Sequence, residues 1–291
     1  MHRWINTKDP AAVAAEARAI CQALFPEADI SFVDELFCSV NECFRGGYED
    51  YQAVDIRYHD FEHTLQGTLC MVRLLSGFSR SSAQPRLTPR MFQLGLAAIL
   101  LHDTGYLKKR SDTEGTGAKY TLTHVGRSAD FAAHFLPQKG FTPEETEAVQ
   151  KMICCTGVDA RPESIPFRNE GEKLLGLALA TADLLGQMSA QDYVEKLPAL
   201  FAEFTEAVRH TADKNVFIAS FSSVEDLIER TPAFWQNVVR KKLDHNLGGM
   251  YRFLNEPEPG AAEGRNPYLE QVETNMERLK KRAFTQETSV R

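Results

Sequence analysis

Apolar residues recur every three or four positions along nearly the whole chain, which is the spacing of one face of an α-helix. The segments between these stretches are rich in glycine, proline and polar residues, as is typical of turns. No run of alternating apolar and polar residues is long enough to predict a β-strand. The pattern therefore predicts an all-α fold, with Ser31 capping the second helix and helices over residues 10–24, 31–44, 63–75, 89–101, 123–135, 143–153, 172–187, 190–211, 223–230, 232–254 and 266–281.

The length of 291 residues suffices for one large domain, and 43% hydrophobic and 25% charged residues are ordinary globular values. We expect a single domain over residues 1–254, a linker over 255–265 and a C-terminal helix over 266–291. Asn266 and Pro267 suit the cap and the first position of that helix. Its apolar stripe predicts docking onto the domain or contact with a second copy of the chain, and consists of Leu269, Val272, Met276 and Leu279.

The net charge of −7 argues against a large basic surface that would bind nucleic acid. The longest strongly apolar stretch without a charge, residues 91–101, is far shorter than the roughly 20 residues of a membrane span. The N-terminal residues carry charges throughout and lack the apolar core of a signal peptide. The sequence thus predicts a cytoplasmic protein with neither a nucleic-acid nor a membrane partner.

Six residues form an unusual set of nitrogen and oxygen donors, namely His59, His63, His102, Asp103, His124 and Asp183. His59 and His63 are four positions apart and share a helix face if that segment is helical. A lone histidine is more often a structural residue than a ligand. A carboxylate inside an apolar helix, however, needs a metal, a basic partner or a proton, because an unpaired buried charge is costly. The set predicts a site for one or two divalent ions, with Mn, Fe, Zn, Ni and Mg as candidates.

The motifs YHDFEH, HDTG and ATADLLGQMSAQDYVEKL occur in this order along the chain. This set resembles the HD-domain metal-dependent phosphohydrolases, and within them it is most similar to the catalytic domain of class I cyclic nucleotide phosphodiesterases. The resemblance covers residues 47–204. It implies an HD-domain, phosphodiesterase-like helical bundle that hydrolyses a phosphoester with bound divalent metal.

The resemblance also implies roles for the six donors. The metal ligands would be His63, His102, Asp103 and Asp183, with Asp103 bridging two ions if two bind. His59 would be the general acid, and His124 would contact the attacking hydroxide or the second metal. Compared with those phosphodiesterases, Asp60 replaces an asparagine, Tyr106 replaces a histidine and Val125 replaces the second histidine of a pair.

The function that the resemblance implies is hydrolysis of a small phosphoester of nucleotide type, by a phosphodiesterase or phosphomonoesterase reaction. A metal-activated hydroxide would attack phosphorus, and His59 would protonate the leaving oxygen, oriented by a carboxylate such as Asp60 or Glu62.

Four residues are candidates for contacting the substrate: Tyr106, Lys108, Lys109 and Gln236. The alternative for the two lysines is a solvated run of charges after the His-Asp pair. The alternative for the segment around Gln236, which contains Phe234 and Trp235, is core packing with a solvated amide.

Two other functions stay open at this stage. One is a di-iron oxygenase, because some HD-type sites bind iron and activate oxygen. The other is a regulatory module that binds a nucleotide without cleaving it. The retention of His63, His102, Asp103 and Asp183 favours an active hydrolase over such a module.

Overall fold

A computed structural model describes residues 5–157, 159–212, 216–257 and 264–289 of the chain. Over these residues the fold is all-α, with isolated two-residue bridges as its only β-structure. Ten α-helices lie in the described part: α1 (Pro10–Leu24), α2 (Ser31–Phe44), α3 (Phe61–Arg80), α4 (Pro89–Leu101), α5 (His124–Phe135), α6 (Pro143–Ile153), α7 (Glu170–Met188), α8 (Tyr193–His210), α9 (Val224–Phe234) and α10 (Pro267–Ser289).

Helices α1, α2, α4 and α6 have the predicted bounds. Three of them begin with proline at the first turn, directly after a capping side chain. Asp9 accepts a hydrogen bond from the backbone of α1, and Thr88 accepts one from the backbone of α4. Thr142 and Glu145 form a reciprocal capping box at the start of α6. These helix starts were predictable because the capping residue and the proline are neighbours in the sequence.

Ser31 is not the cap that the sequence predicted, and the residues from His59 to His63 do not form one helical segment. Ser31 is the first helical residue of α2 rather than its cap, and the carboxylate of Asp29 accepts a hydrogen bond from the Ser31 amide at 2.9 Å. His59 precedes α3, because Asp60 caps that helix by accepting from the His63 amide at 2.9 Å. His59 and His63 therefore do not share a helix face.

The sequence predicted that one helix ends at residue 230 and the next begins at residue 232. The structure shows no such interruption of the helix at these residues. Pro232 lies inside α9, and the helical path continues through two wider π-helical turns, Trp235–Val239 and Lys242–Asn246. A turn of 3-10 helix, Met250–Leu254, follows. A proline near the start of a helix costs little, because the amides of the first turn have no partner within the helix. Pro232 lies later than that, and the π-helical turns follow directly after it.

Helices α3 and α7 run through the centre of the core, and α4 packs against both. Most of the side chains of α3 and α7 are buried. The two backbones approach closely at Gly67 and Gly186, where a β-carbon on Gly186 would lie 2.8 Å from the Gly67 Cα. This close approach brings the N-terminal part of α3 beside the C-terminal half of α7.

Helix α10 packs against α7, α8 and α9. The Asn266 side chain caps it by accepting from the Leu269 amide at 3.0 Å, and Val272, Met276 and Leu279 are buried. The buried Asn275 amide donates to the carbonyls of Met188 and Ala190, at 2.9 and 2.8 Å. The apolar stripe of α10 thus faces the protein's own helices.

Residues 258–263 of the predicted linker lie outside the described residues. On either side of them, Glu256 and Arg265 pair through two backbone hydrogen bonds of 2.7 and 2.9 Å.

Among the described helices, none combines the length and the apolar character that crossing a membrane requires.

Gly186→Ala tests the contact between α3 and α7. The added methyl group would meet the carbonyl of Gln66 at 2.8 Å, so we expect the free energy of unfolding to fall by about 1–3 kcal/mol. Urea denaturation measures this change. Gly126→Ala on α5 is the matched control, because a β-carbon there meets nothing within 4 Å. That change should leave stability equal or raise it by up to about 1 kcal/mol. Equal effects at the two sites would contradict the packing described.

Candidate metal centre

Four side chains from three core helices meet at one buried point. His63 comes from the start of α3, His102 and Asp103 from the end of α4, and Asp183 from α7. His63 Nε2 lies 3.1 Å from Asp103 Oδ2 and 3.3 Å from Asp183 Oδ1. His102 Nε2 lies 3.4 and 3.5 Å from the same two oxygens. The structure thus brings together the four residues for which metal ligation was predicted.

The distances between the imidazoles and the carboxylates fit the coordination shell of a divalent ion, and one donor atom each of His63, His102 and Asp103 lies within 4.8 Å of the others. Bonds of about 2.1 Å place neighbouring ligand atoms about 3.4 Å apart in a tetrahedron and about 3.0 Å apart in an octahedron. His102 Nε2 and Asp103 Oδ2 are fully buried, and neither has a hydrogen-bond partner among the described residues. Buried polar atoms without partners are rare in native proteins. Their convergence on one point is what a metal site requires.

Backbone hydrogen bonds fix the orientation of two imidazoles. The His102 Nδ1–H donates to the Ile99 carbonyl at 2.7 Å, and the His124 Nδ1–H donates to the Thr121 carbonyl at 2.6 Å. With Nδ1 as the donor, Nε2 of a neutral ring carries the lone pair. Metal-binding histidines are commonly oriented in this way. His124 Nε2 lies 3.7 Å from Asp103 Oδ1, whereas His63 and His102 approach Oδ2 of the same carboxylate.

The charges of the cluster depend on one another. Burial by itself would lower the pKa of His63, but the adjacent carboxylates of Asp103 and Asp183 outweigh it and raise that pKa to about 10. Burial would raise the pKa of Asp103 and Asp183, and the imidazoles of His102 and His63 instead hold both values below the usual range. Burial lowers the pKa of His124, which favours the neutral ring. The groups are therefore paired as cations and anions, and a bound divalent ion would take the place of the shared protons.

His59 is oriented by a residue that the sequence analysis missed. Its Nδ1–H donates to Glu203 Oε2 at 2.6 Å, and Glu203 Oε1 accepts from the amides of Arg57 and Tyr58 at 3.1 and 2.7 Å. Glu203 lies on α8 and is only 5% exposed. One feature of the sequence could have indicated this burial. Glu203 lies four positions before Ala207, so its carboxylate is on the apolar face of the amphipathic helix α8.

The carboxylates predicted to orient His59 have other partners. Asp60 caps α3 through the His63 amide, and its carboxylate lies 3.8 Å from the Lys196 ammonium. Glu62 pairs with the same ammonium at 3.0 Å. The prediction of Asp60 or Glu62 is wrong because both carboxylates lie beside Lys196, which is nearly two turns before Glu203 on α8.

Tyr106 is not an exposed substrate contact, since it is 1% exposed. Its ring stacks on His59 and on His124, with a centroid distance of 4.6 Å and interplanar angles of 15° and 18°. Stacking on both rings restricts their rotation, so Tyr106 holds the two imidazoles in place beside the cluster.

The remaining substrate candidates lie in other surroundings. Lys108 is buried in an ion pair with Asp55, 3.3 Å away, and also donates to the Gly115 carbonyl. Lys109 places its ammonium 3.7 Å from the centre of the Tyr51 ring. Gln236 is exposed on a π-helical turn. None of the contacts of the cluster involves these three residues within the described ranges, because tertiary partners draw the lysines away from it.

Residues 110–256, about half of the chain, match the model of the Npun_R2479-like family. The chain belongs to the Npun_R2479-like family. The matched region includes His124, Asp183 and Glu203, and begins after the His102-Asp103 pair. No curated protein matches the chain. The description of the Npun_R2479-like family names no activity, so the function follows from the site alone.

Glu203→Gln tests the pairing with His59. The substitution keeps the size of the side chain and removes a charged acceptor, so unfolding should become easier by about 1–3 kcal/mol. Urea denaturation gives the stability, and the ring ¹⁵N signals of His59 should shift. Glu195→Gln on the same helix is the control, since Glu195 forms an exposed ion pair with Arg278 and should change stability by less than about 0.5 kcal/mol. An unshifted His59 signal would contradict the pairing.

Proposed function

We propose that the protein is a metal-dependent phosphoric ester hydrolase of HD-domain type, acting on a small phosphorylated substrate of nucleotide type in the cytoplasm. The observation that carries this proposal is the meeting of two imidazoles and two carboxylates at one buried point, beside an imidazole held by Glu203. The cluster offers a divalent ion its donors, and the neighbouring imidazole offers a proton. Hydrolysis of a phosphoester needs both.

The cation would be held by His63, His102, Asp103 and Asp183, and Mn, Fe, Zn, Ni or Mg suits this mixture of nitrogen and oxygen donors. When bound, such an ion lowers the pKa of a water ligand and neutralises charge on phosphoryl oxygens. The His102 tautomer is already fixed for this role by the Ile99 carbonyl. The second carboxylate oxygen of Asp103 faces His124.

The chain's own residues carry the proton transfers. His59 has Nδ1 occupied by Glu203, so Nε2 is the atom from which it would protonate a leaving alkoxide. Glu203 holds the ring in this orientation through the Nδ1–H hydrogen bond. His124 has Nδ1 occupied by the Thr121 carbonyl, so its Nε2 would accept a hydrogen bond from the attacking water. Tyr106 stacks on both rings and restricts their rotation.

Metal analysis of the purified protein tests the cofactor. We expect one or two equivalents of a divalent metal, and their loss in Asp103→Asn and Asp183→Asn, because each change removes a charged ligand. At a free metal concentration a hundred times the dissociation constant, the free energy of unfolding of the wild-type protein should rise by about 2.7 kcal/mol. That of the two variants should not rise. Asp130→Asn on α5, at an exposed position, is the control and should keep its metal. Normal metal content in Asp103→Asn would contradict the ligand assignment.

His59→Ala tests the general acid. The ring is not among the four donors, so metal content should stay normal while turnover of a phosphoester falls by about 10²–10⁴-fold. The assay follows phosphate release from a nucleoside monophosphate with Mn, Mg or Zn, because its leaving alkoxide needs a proton, and p-nitrophenyl phosphate serves as the comparison. A substrate with a better leaving group should lose less activity, since it needs less protonation. Loss of metal in His59→Ala, or unchanged turnover, would contradict this role.

The same measurements separate the two alternative functions. A dominant iron content with oxygen consumption and no phosphoester turnover identifies an oxygenase. Metal or nucleotide binding without turnover of any phosphoester identifies a regulatory module. The His59–Glu203 pair favours the hydrolase over both, since neither alternative requires a proton donor at that place.

A further inference from the structure

Gln187 follows Asp183 by about one turn of α7, so the two side chains lie on the same face of that helix. The Gln187 Nε2 lies 3.2 Å from the Asp183 carboxylate oxygen Oδ1 and 3.2 Å from the Asp183 backbone carbonyl oxygen. A carbonyl oxygen only accepts hydrogen bonds, so the amide turns its nitrogen toward Asp183. The two N–H groups of the amide thus have two acceptors on one residue.

The hydroxyl of the buried Tyr58 holds the other end of this amide. It lies 2.9 Å from Gln187 Oε1, and it is the donor because an amide oxygen only accepts. The backbone amide of Tyr58 in turn donates to Glu203 Oε1 at 2.7 Å. Rotation of the Gln187 amide would therefore break hydrogen bonds at both of its ends.

Gln187 acts on the carboxylate oxygen that faces the imidazoles. Asp183 Oδ1 lies 3.3 Å from His63 Nε2 and 3.5 Å from His102 Nε2. The terminal torsion of an aspartate has only broad preferences, so the side chain by itself does little to determine which oxygen faces the cluster. The hydrogen bond from Gln187 opposes the rotation that would exchange the two oxygens. It also occupies one lone pair of Oδ1 and leaves the other for a cation.

We propose that Gln187 is a positioning residue of the metal centre. Supported by the Tyr58 hydroxyl, its amide holds Asp183 so that Oδ1 is the oxygen that binds the ion. This inference rests on the ligand assignment of the proposed function. Groups that donate a hydrogen bond to a metal ligand set its orientation and tune the affinity for the metal. A pair of residues that only stabilised the helix would leave that affinity unchanged.

Titration of the metal-free full-length protein with Mn²⁺, measured by calorimetry, tests the inference. Gln187→Met keeps the length of the side chain and removes its amide, so the affinity for Mn²⁺ should fall by about tenfold to a hundredfold. Tyr58→Phe removes only the hydroxyl and should weaken Mn²⁺ binding less. The double variant should bind Mn²⁺ as weakly as Gln187→Met and no more weakly, because the hydroxyl acts through the amide.

Two controls match these variants. Gln191→Met makes the same change at an exposed position four residues later. Tyr193→Phe removes a hydroxyl beside the small cavity that Tyr58, His63 and Gln187 also line. Both controls should bind Mn²⁺ as the wild-type protein does. The absorption bands of bound Co²⁺ give a second readout, since they depend on the geometry of the ligands, and should change in Gln187→Met but in neither control.

Equal Mn²⁺ affinity of Gln187→Met and the wild-type protein, or an unchanged Co²⁺ spectrum, would overturn the inference and leave the ligand assignment in place. Weaker binding in the double variant than in Gln187→Met would overturn the role of Tyr58. A wild-type protein that binds no divalent metal would contradict the proposed function, and this inference with it. Melting temperatures of the metal-free proteins show whether each variant is folded. If Gln187→Met is not, wild-type affinity in Tyr58→Phe overturns the inference.

Discussion

The structure depends on the burial of two carboxylates and two imidazoles at a single point in an apolar core. Removing a charged group from water costs several kcal/mol, about as much as the whole net stability of many domains, unless an opposite charge compensates it. Asp103 and Asp183 meet this requirement through His63 and His102. Because α3, α4 and α7 each contribute to the cluster, none of these three helices can shift along its axis without separating charges.

The separation of the charged groups is set by glycine. Gly67 lies one turn after His63 on α3, and Gly186 lies nearly one turn after Asp183 on α7. The absence of side chains at these positions lets the two backbones approach, and the approach brings the imidazole within 3.3 Å of the carboxylate. Packing and chemistry thus use the same helix faces, so a substitution that only adds volume there also alters the donor spacing.

Local signals in the sequence predicted much of the fold and the chemically obvious part of the site. Helix starts at Pro10, Pro89 and Pro143 were predictable because cap and proline are neighbours in the chain. The four clustered donors were named from the motif resemblance, and only the carboxylate of Asp183, inside an apolar helix, indicated by itself that a partner is needed. Glu203 was missed because it is 144 positions from His59, and only the packing of α8 brings the two together. The buried state of Lys108 depends on Asp55, another tertiary pairing that sequence spacing does not reveal.

Asn275 links the end of the chain to the core. Its amide binds the carbonyls of Met188 and Ala190, just where α7 ends, and α7 carries Asp183. On a ribosome, α10 emerges after α7, so these two carbonyls gain their partner only once Asn275, 87 positions after Met188, has been made. The end of the helix that carries Asp183 therefore gains these two hydrogen bonds only after α10 has been made. Nascent chains that stop before α10 would leave this end of α7 open to chaperones and proteases.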